Sequence, residues 1–164
     1  MEVQLAQLAQ QKASSPEVKE FAKQIEQDHS TANEELKALA QRKNINLPTE
    51  LDQKHQAQIA KFNNLSEEKF DKEYMKAMVG DHKKDVKKFQ KQADRGMDSH
   101  VKEFAAKTLP HLQAHLQKAE ELKGTSTRAR KADDTATSKS DDSATKETTK
   151  PEREHSAPTP KDDK

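Results

Sequence analysis

Two Asp-His pairs stand out in the sequence because each lies inside a long segment with the apolar spacing of a helix. They are Asp28-His29 and Asp81-His82. In both segments apolar residues recur every three to four positions, and the imidazole falls on or beside the apolar stripe. A histidine at such a position faces the interior of a helical domain, where it either forms hydrogen bonds or binds a metal ion.

A third helical segment carries His111 and His115, whose spacing of four residues puts both imidazoles on one helix face, where they could chelate one ion. If the helices align, His29, His82 and His115 converge with Glu2 in the interior of a bundle. The sequence has no Cys, so such a site would have nitrogen and oxygen ligands suited to zinc, iron, copper or nickel. The candidate ligands are Glu2, Asp28, His29, Asp81, His82, His111 and His115.

The same histidines also fit a structural role, in which a neighbouring Asp or Glu accepts the imidazole N–H and no ion is bound. Tyr74 fits a packing role as an aromatic residue of a helix seam. A di-iron oxidase site is disfavoured because it needs two Glu-x-x-His motifs, and the motif from Glu26 to His29 has no counterpart. No residue is assigned a catalytic role, and an enzyme is the less favoured class.

The composition favours a thin helical core over a sandwich or a barrel. Hydrophobic residues make up 30% of the chain and charged residues 36%, and there are 3 Gly. Ala, Leu and a few Phe can fill the narrow seam of a helix bundle, whereas three scattered glycines exclude a phosphate-binding loop. The net charge of +1 gives no field that would attract nucleic acid, and no apolar stretch has the length of a membrane span.

Helical periodicity and capping residues predict five helices. The first covers residues 1–13, the second runs from Pro16 to about Lys43, a short crossover helix ends near Phe62, and two further helices end near Arg95 and Lys123. Connections that are short, long and short predict an all-α, ferritin-like four-helix bundle with a short crossover helix over residues 1–123. Residues 124–164 are rich in Ser, Thr, Lys and Asp and are predicted to form a disordered tail.

An ordered set of residues resembles a known bacterial family. The set comprises Glu2-Val3, Ala22 with Asp28-His29, Leu47-Pro48, Phe70-Asp71 with Tyr74, His82, and the run from Phe104 to Pro110 followed by His115. Together they look like domain-of-unknown-function family 4142, a ferritin-like helical domain usually carried by exported proteins. The resemblance implies a periplasmic or cell-envelope location and a longer first helix, with a leader, ahead of Glu2. It supplies no established activity.

Three functions are open at this point. The first is a non-enzymatic envelope protein whose bundle binds a partner or a divalent metal ion. The second is a metal-dependent redox enzyme of the ferritin-like type, or a hydrolytic one, that uses His29, His82 and His115. The third is a structural, stress-related protein that acts through hydration and volume. A truncated first helix would leave apolar seam residues exposed and would favour a homo-oligomer.

Overall fold

The computed structural model describes residues 1–136, with side chains through residue 125, and all regular secondary structure in this range is α-helical. The predicted all-α class with five helices is confirmed for these residues. The helices are α1 (Glu2–Lys12), α2 (Pro16–Arg42), α3 (Gln53–Asn63), α4 (Glu67–Arg95) and α5 (Ser99–Ala136). None of them has both the length and the apolar character that crossing a membrane requires.

Three of the described helices, α2, α3 and α5, begin at a short polar side chain that caps the first turn, whereas Ser66 before α4 forms no such hydrogen bond. Ser15, Asp52 and Asp98 each accept a hydrogen bond from the backbone N–H three residues further on. Such a cap satisfies one of the backbone donors that the first turn of a helix leaves free. Pro16 follows Ser15 at the first helical position, where its missing N–H has no consequence. These caps agree with the sequence prediction.

The helices pack through their apolar faces. The closest pairs are α1 with α2 and α4 with α5, while α2 also contacts α5, α1 contacts α4, and α3 lies against α1. Burying one large apolar side chain stabilises a fold by roughly 1.5–3 kcal/mol. The largest fully buried apolar and aromatic side chains are Leu5, Val18, Ile25, Phe70, Tyr74, Met75 and Met78.

A buried carboxylate on α4 fastens the turn between α1 and α2. Asp71 accepts hydrogen bonds from the backbone N–H of Ser14 at 3.1 Å, from the Ser14 hydroxyl at 2.7 Å and from the backbone N–H of Ser15 at 2.9 Å. Hydrogen bonds to a charged group are stronger than neutral ones, so this contact holds the α1–α2 pair against α4. It fixes the axial position of Glu2 and His29 relative to α4.

The last helix does not end at Gly124, which corrects the predicted end near Lys123. α5 continues through Pro110 and past Gly124 to Ala136. No glycine among the described residues has the positive φ of a helix-terminating cap, and an interior glycine costs only about 1 kcal/mol relative to alanine. The predicted disordered tail from residue 137 onward lies outside the described residues.

Candidate metal centre

Three histidines from three helices meet in the interior between α2, α4 and α5. His29, His82 and His115 each lie three or four residues after a buried apolar residue of the same helix, namely Ile25, Met78 and Leu112. This spacing keeps the imidazole on the buried helix face. We call these three residues the histidine cluster.

The members of the histidine cluster are in direct contact. The ring centroids are 5.4 Å apart for His29 and His82, 5.5 Å for His29 and His115, and 5.4 Å for His82 and His115. One ring nitrogen from each lies within 4.8 Å of the other two. Such proximity allows one ion to contact all three rings.

Glu2, at the start of α1, fixes the orientation of His29. Its Oε2 lies 3.0 Å from Nδ1 of His29, and its Oε1 lies 3.7 Å from Nδ1 of His82. Burial raises the pKa of Glu2, but the hydrogen bond from His29 is the largest of several influences that leave the pKa lowered. Because an ionised carboxylate only accepts hydrogen bonds, Nδ1 of His29 donates to Glu2, and Nε2 is the ring nitrogen left for a ligand.

The other two histidines are held in the same manner. Nδ1 of His82 lies 3.0 Å from the carbonyl oxygen of Met78, and Nε2 of His115 lies 2.8 Å from Oδ2 of Asp28. Burial raises the pKa of Asp28, but hydrogen bonds from Gln24 and His115 leave it lowered. Both partners therefore only accept hydrogen bonds, which puts the protons on these two ring nitrogens and leaves the opposite nitrogens as acceptors.

The second nitrogen of each ring is buried and has no hydrogen-bonding partner among the described residues. These atoms are Nε2 of His29, Nε2 of His82 and Nδ1 of His115. A water molecule has two hydrogens, so it can donate to two of these nitrogens. The third nitrogen then faces a lone pair of the water oxygen. An unsatisfied buried acceptor costs about 1–3 kcal/mol. A cation accepts all three lone pairs at once, so the site fits a metal ion.

Burial also keeps the imidazoles in the protonation state that binds metals. It is the largest influence on the pKa of His82 and of His115, and it lowers both, with the neighbouring histidines adding to the effect. The carboxylates of Glu2 and Asp28 oppose this shift without cancelling it. Both rings are therefore neutral at neutral pH, which is the form of histidine that ligates metal ions.

The spacing of the ring nitrogens is within reach of a metal site. Zinc–nitrogen bonds of roughly 2.0–2.1 Å in a tetrahedral site place the ligand nitrogens about 3.3 Å apart, and one nitrogen of each ring lies within 4.8 Å of the others. The hydrogen bonds of the rings to Glu2, Asp28 and the Met78 carbonyl are the kind that orient metal-bound histidines. Oε1 of Glu2 is buried, has no hydrogen-bonding partner among the described residues and is an oxygen that could serve as a fourth ligand.

The sequence profile of a family described as Domain of unknown function (DUF4142) matches residues 1–122. The chain belongs to the DUF4142 family. The match spans α1 to α4 and the part of α5 up to Leu122, and it confirms the resemblance identified in the sequence. No curated protein and no solved structure matches the chain.

Three of the predicted ligands do not belong to the histidine cluster of the DUF4142 domain. Asp28 accepts a hydrogen bond from Nε2 of His115. His111 is exposed, and its Nδ1 lies 3.9 Å from Oδ2 of Asp28. Asp81 is partly buried and lies 2.9 Å from Lys84 of its own helix, α4. The two Asp-His pairs are therefore not equivalent, since only the first has its carboxylate at the cluster.

Two other residues singled out in the sequence lie away from the ligand positions of the DUF4142 domain. The Glu26 carboxylate accepts hydrogen bonds from Gln7 and Gln10 of α1, at 2.7 and 2.6 Å. Tyr74 is fully buried and stacks on Phe70, and its hydroxyl has no partner among the described residues. Burial and the charge of Glu2 raise the pKa of Tyr74, so the phenol stays protonated.

Asp85 and the cleft in which it lies were not predicted from the sequence. Burial and the charge of Glu2 raise the pKa of Asp85, whose Oδ1 is 3.6 Å from Lys88. Its position three residues after His82 was a usable signal, because that spacing shares a helix face. The cleft has a volume of about 180 Å³ and leads from solvent to Glu2, His29 and His115 between apolar side chains of Ala32, Leu36, Phe89, Phe104 and Leu112.

Proposed function

We propose that this DUF4142 domain binds one divalent transition-metal ion through His29, His82 and His115. The proposal is carried by the proximity of the three imidazoles, each of which has a ring nitrogen within 4.8 Å of the other two. Each ring also has one buried nitrogen without a hydrogen-bonding partner among the described residues. Imidazole ligands favour zinc, copper, nickel or iron over calcium and magnesium, which prefer oxygen.

Glu2 has two roles in this proposal. Its Oε2 orients His29, and its unpartnered Oε1 is the protein group closest to serving as a fourth ligand. With Glu2 bound, the ion has four protein ligands, which is typical of a structural site. If Glu2 instead stays hydrogen-bonded to His29, the fourth position on the ion is open to water or to another small ligand, as in catalytic sites.

The proposed scaffold is a ferritin-like four-helix bundle of α1, α2, α4 and α5, with α3 in the crossover. Its support is the sequence of contacts from α1 to α2, α2 to α5, α5 to α4 and α4 back to α1, together with the long connection between α2 and α4. A di-iron oxidase is not proposed, because such a site needs several carboxylates and Glu26 is bound to α1 glutamines instead.

A metal-binding module without catalytic activity is the first functional candidate, and a metal-dependent enzyme is the second. The cleft that reaches Glu2, His29 and His115 favours the second, because a substrate needs access to an open position on the ion. Addition of azide to the Co²⁺-loaded protein separates the two. A shift of the visible absorption bands would support an exchangeable position, and an unchanged spectrum would support four protein ligands.

We also propose that the protein works in the cell envelope, as exported members of its family do. The support is the family match, and an ion-binding site without Cys ligands is compatible with an oxidising compartment. Cell fractionation of the native producer, with an antibody against residues 1–123, tests the location. Recovery of the protein in the cytosolic fraction alone would contradict it.

Metal analysis of protein purified without chelator and without a histidine tag tests the proposed function. We expect one transition-metal ion per chain in the wild type, none in His29→Ala or His82→Ala, and an unchanged content in His100→Ala. His100 is the matched control because it lies on α5 but is exposed and outside the cluster. Absence of metal from the wild type, also after incubation with excess Zn²⁺ or Co²⁺, would refute the proposal.

A further inference from the structure

The histidine cluster is enclosed by helices, so an ion from solvent needs a route to it. His82 is fully buried and His115 nearly so. At the interface between α2 and α5, polar groups lead outward from the cluster. Asp28 on α2 and His111 on α5 form this connection.

The side chains of His111, Asp28 and His115 lie in this order from solvent to the interior. The exposed fraction of the side chain is 62% for His111, 21% for Asp28 and 6% for His115. Oδ2 of Asp28 lies 3.9 Å from Nδ1 of His111 and 2.8 Å from Nε2 of His115. One carboxylate oxygen therefore lies between a surface imidazole and a buried one.

Three surface depressions meet at this carboxylate. One follows the α2–α5 groove beside Phe21 and Ala114, one lies beside Thr31 and Lys107, and the third is the cleft that reaches Glu2 and His29. Asp28 and His111 line all three. An ion that approaches along any of them meets the same pair of ligands.

Another depression reaches Glu2 and His29 from the side of α1, α3 and α4. Its carboxylates Asp81 and Asp85 are paired with Lys84 and Lys88. A cation on this side therefore meets carboxylates whose charge is already balanced by a lysine. Within the described residues, by contrast, Asp28 has only Gln24, His111 and His115 as polar partners.

We propose that His111 and Asp28 form an uptake site that binds the incoming divalent cation first and passes it to the histidine cluster. The inference rests on the proposed function, since it concerns the loading of that metal site. His111 contributes Nδ1 and Asp28 contributes Oδ2, a nitrogen and oxygen pair that transition metals accept. The ion then exchanges these ligands for the unpartnered nitrogens of the cluster, and the carboxylate of Asp28 stays with His115. His111 thus acts on the rate of loading and not on the final ligand set.

The test is the rate at which metal-free protein takes up Co²⁺, followed by stopped-flow visible absorption. We expect His111→Ala to reach the same stoichiometry and final spectrum as the wild type but to load about tenfold more slowly, because the local ion concentration at the uptake site falls. Release to excess chelator should slow by the same factor, since the affinity is unchanged. His111→Glu, which restores a ligand, should load at close to the wild-type rate, and His111→Lys should load most slowly.

His100→Ala is the control for removing an exposed histidine from α5, and it should load like the wild type. Wild-type loading by His111→Ala overturns the uptake site while the metal site stands. Loss of stoichiometry or of the final spectrum in His111→Ala also overturns it, because His111 would then be a ligand of the bound ion. Failure of the wild type to bind Co²⁺ overturns the proposed function together with the inference.

Discussion

Asp28 Oδ2 lies 2.8 Å from Nε2 of His115, although the two residues are 87 positions apart in the sequence. The carboxylate thus serves a histidine on the neighbouring helix and not His29 beside it in the chain. Because this contact fixes which nitrogen of His115 is protonated, it also determines which nitrogen faces the cluster. Asp81, in the second Asp-His pair, has Lys84 as its partner and no such role.

Replacing Asp28 by Asn should weaken metal binding while leaving the ligands intact. The amide oxygen can still accept the proton of His115 Nε2, but it lacks the charge that raises the basicity of the ring. Loss of such a supporting group costs about 10- to 100-fold in metal affinity, and we expect the lower end of that range. Competition with a chromophoric zinc chelator measures the change. Asp81→Asn is the matched control and should bind like the wild type; equal weakening in both variants would contradict the assigned role of Asp28.

The metal-free protein should lose stability as the pH falls below about 6.5. The folded state lowers the pKa of His82 and of His115, so unfolded chains bind more protons than folded ones in this range. The free energy of unfolding then falls with decreasing pH by up to about 1.4 kcal/mol per pH unit for each histidine. The lowered pKa values of Glu2 and Asp28 act in the same direction only at lower pH, where carboxylates begin to bind protons.

Urea unfolding in the presence of a chelator, at about pH 8, 7, 6 and 5, measures this dependence. His115→Gln removes one of the two proton-binding groups and should flatten the decline. An equal free energy of unfolding at neutral and mildly acidic pH would show that the buried imidazoles are not held neutral.

Asp71→Asn should destabilise the fold by about 2 kcal/mol, because a buried acceptor of three hydrogen bonds is replaced by one whose amide group opposes the donors. The affected donors are the Ser14 and Ser15 N–H groups and the Ser14 hydroxyl. Asp94→Asn is the control, since Asp94 is exposed and its carboxylate accepts hydrogen bonds from Gln90 of its own helix. Urea denaturation measures the free energy of unfolding of both variants. Similar values would contradict the role of Asp71 in helix docking.

Tyr74→Phe should leave the stability unchanged or raise it by up to about 1 kcal/mol, since it removes a buried hydroxyl that has no partner among the described residues. Tyr74→Leu should destabilise the domain, because the stacking on Phe70, with centroids 5.9 Å apart, is lost with the ring. Thermal unfolding measures both variants. A clear loss of stability in Tyr74→Phe would indicate that the hydroxyl is bound in solution.

Helical periodicity was sufficient to put His29, His82 and His115 on buried helix faces, because one-sided burial leaves a regular pattern in each helix. The partners of these residues could not be predicted in the same way. Whether Asp28 meets His29 or His115 depends on the rotation and axial shift of α2 against α5, which no local pattern records. Those shifts are set by contacts between helices, such as the hydrogen bonds of Asp71.

The ends of the helices and the extent of burial were less predictable. The sequence predicts an end of the last helix near Lys123, although the helix continues through Gly124, since a glycine penalty of about 1 kcal/mol does not end a helix without a left-handed cap. Leu36 has the apolar spacing of α2 but is 36% exposed. Glu2, in the first turn of α1, contacts His29 in the middle of α2, so α1 packs along the first half of α2.

The three residues of the histidine cluster lie on three helices, and a few tens of residues separate each of them from the next in the chain. An unfolded chain therefore holds them far apart, and on the proposed metal binding an ion would cross-link distant positions once the helices have docked. In the chain-entropy description, a cross-link that closes a loop of this length stabilises a fold by about 3–4 kcal/mol. An ion that binds a folded site would be selected by the free metal concentrations of the compartment in which the chain completes its folding.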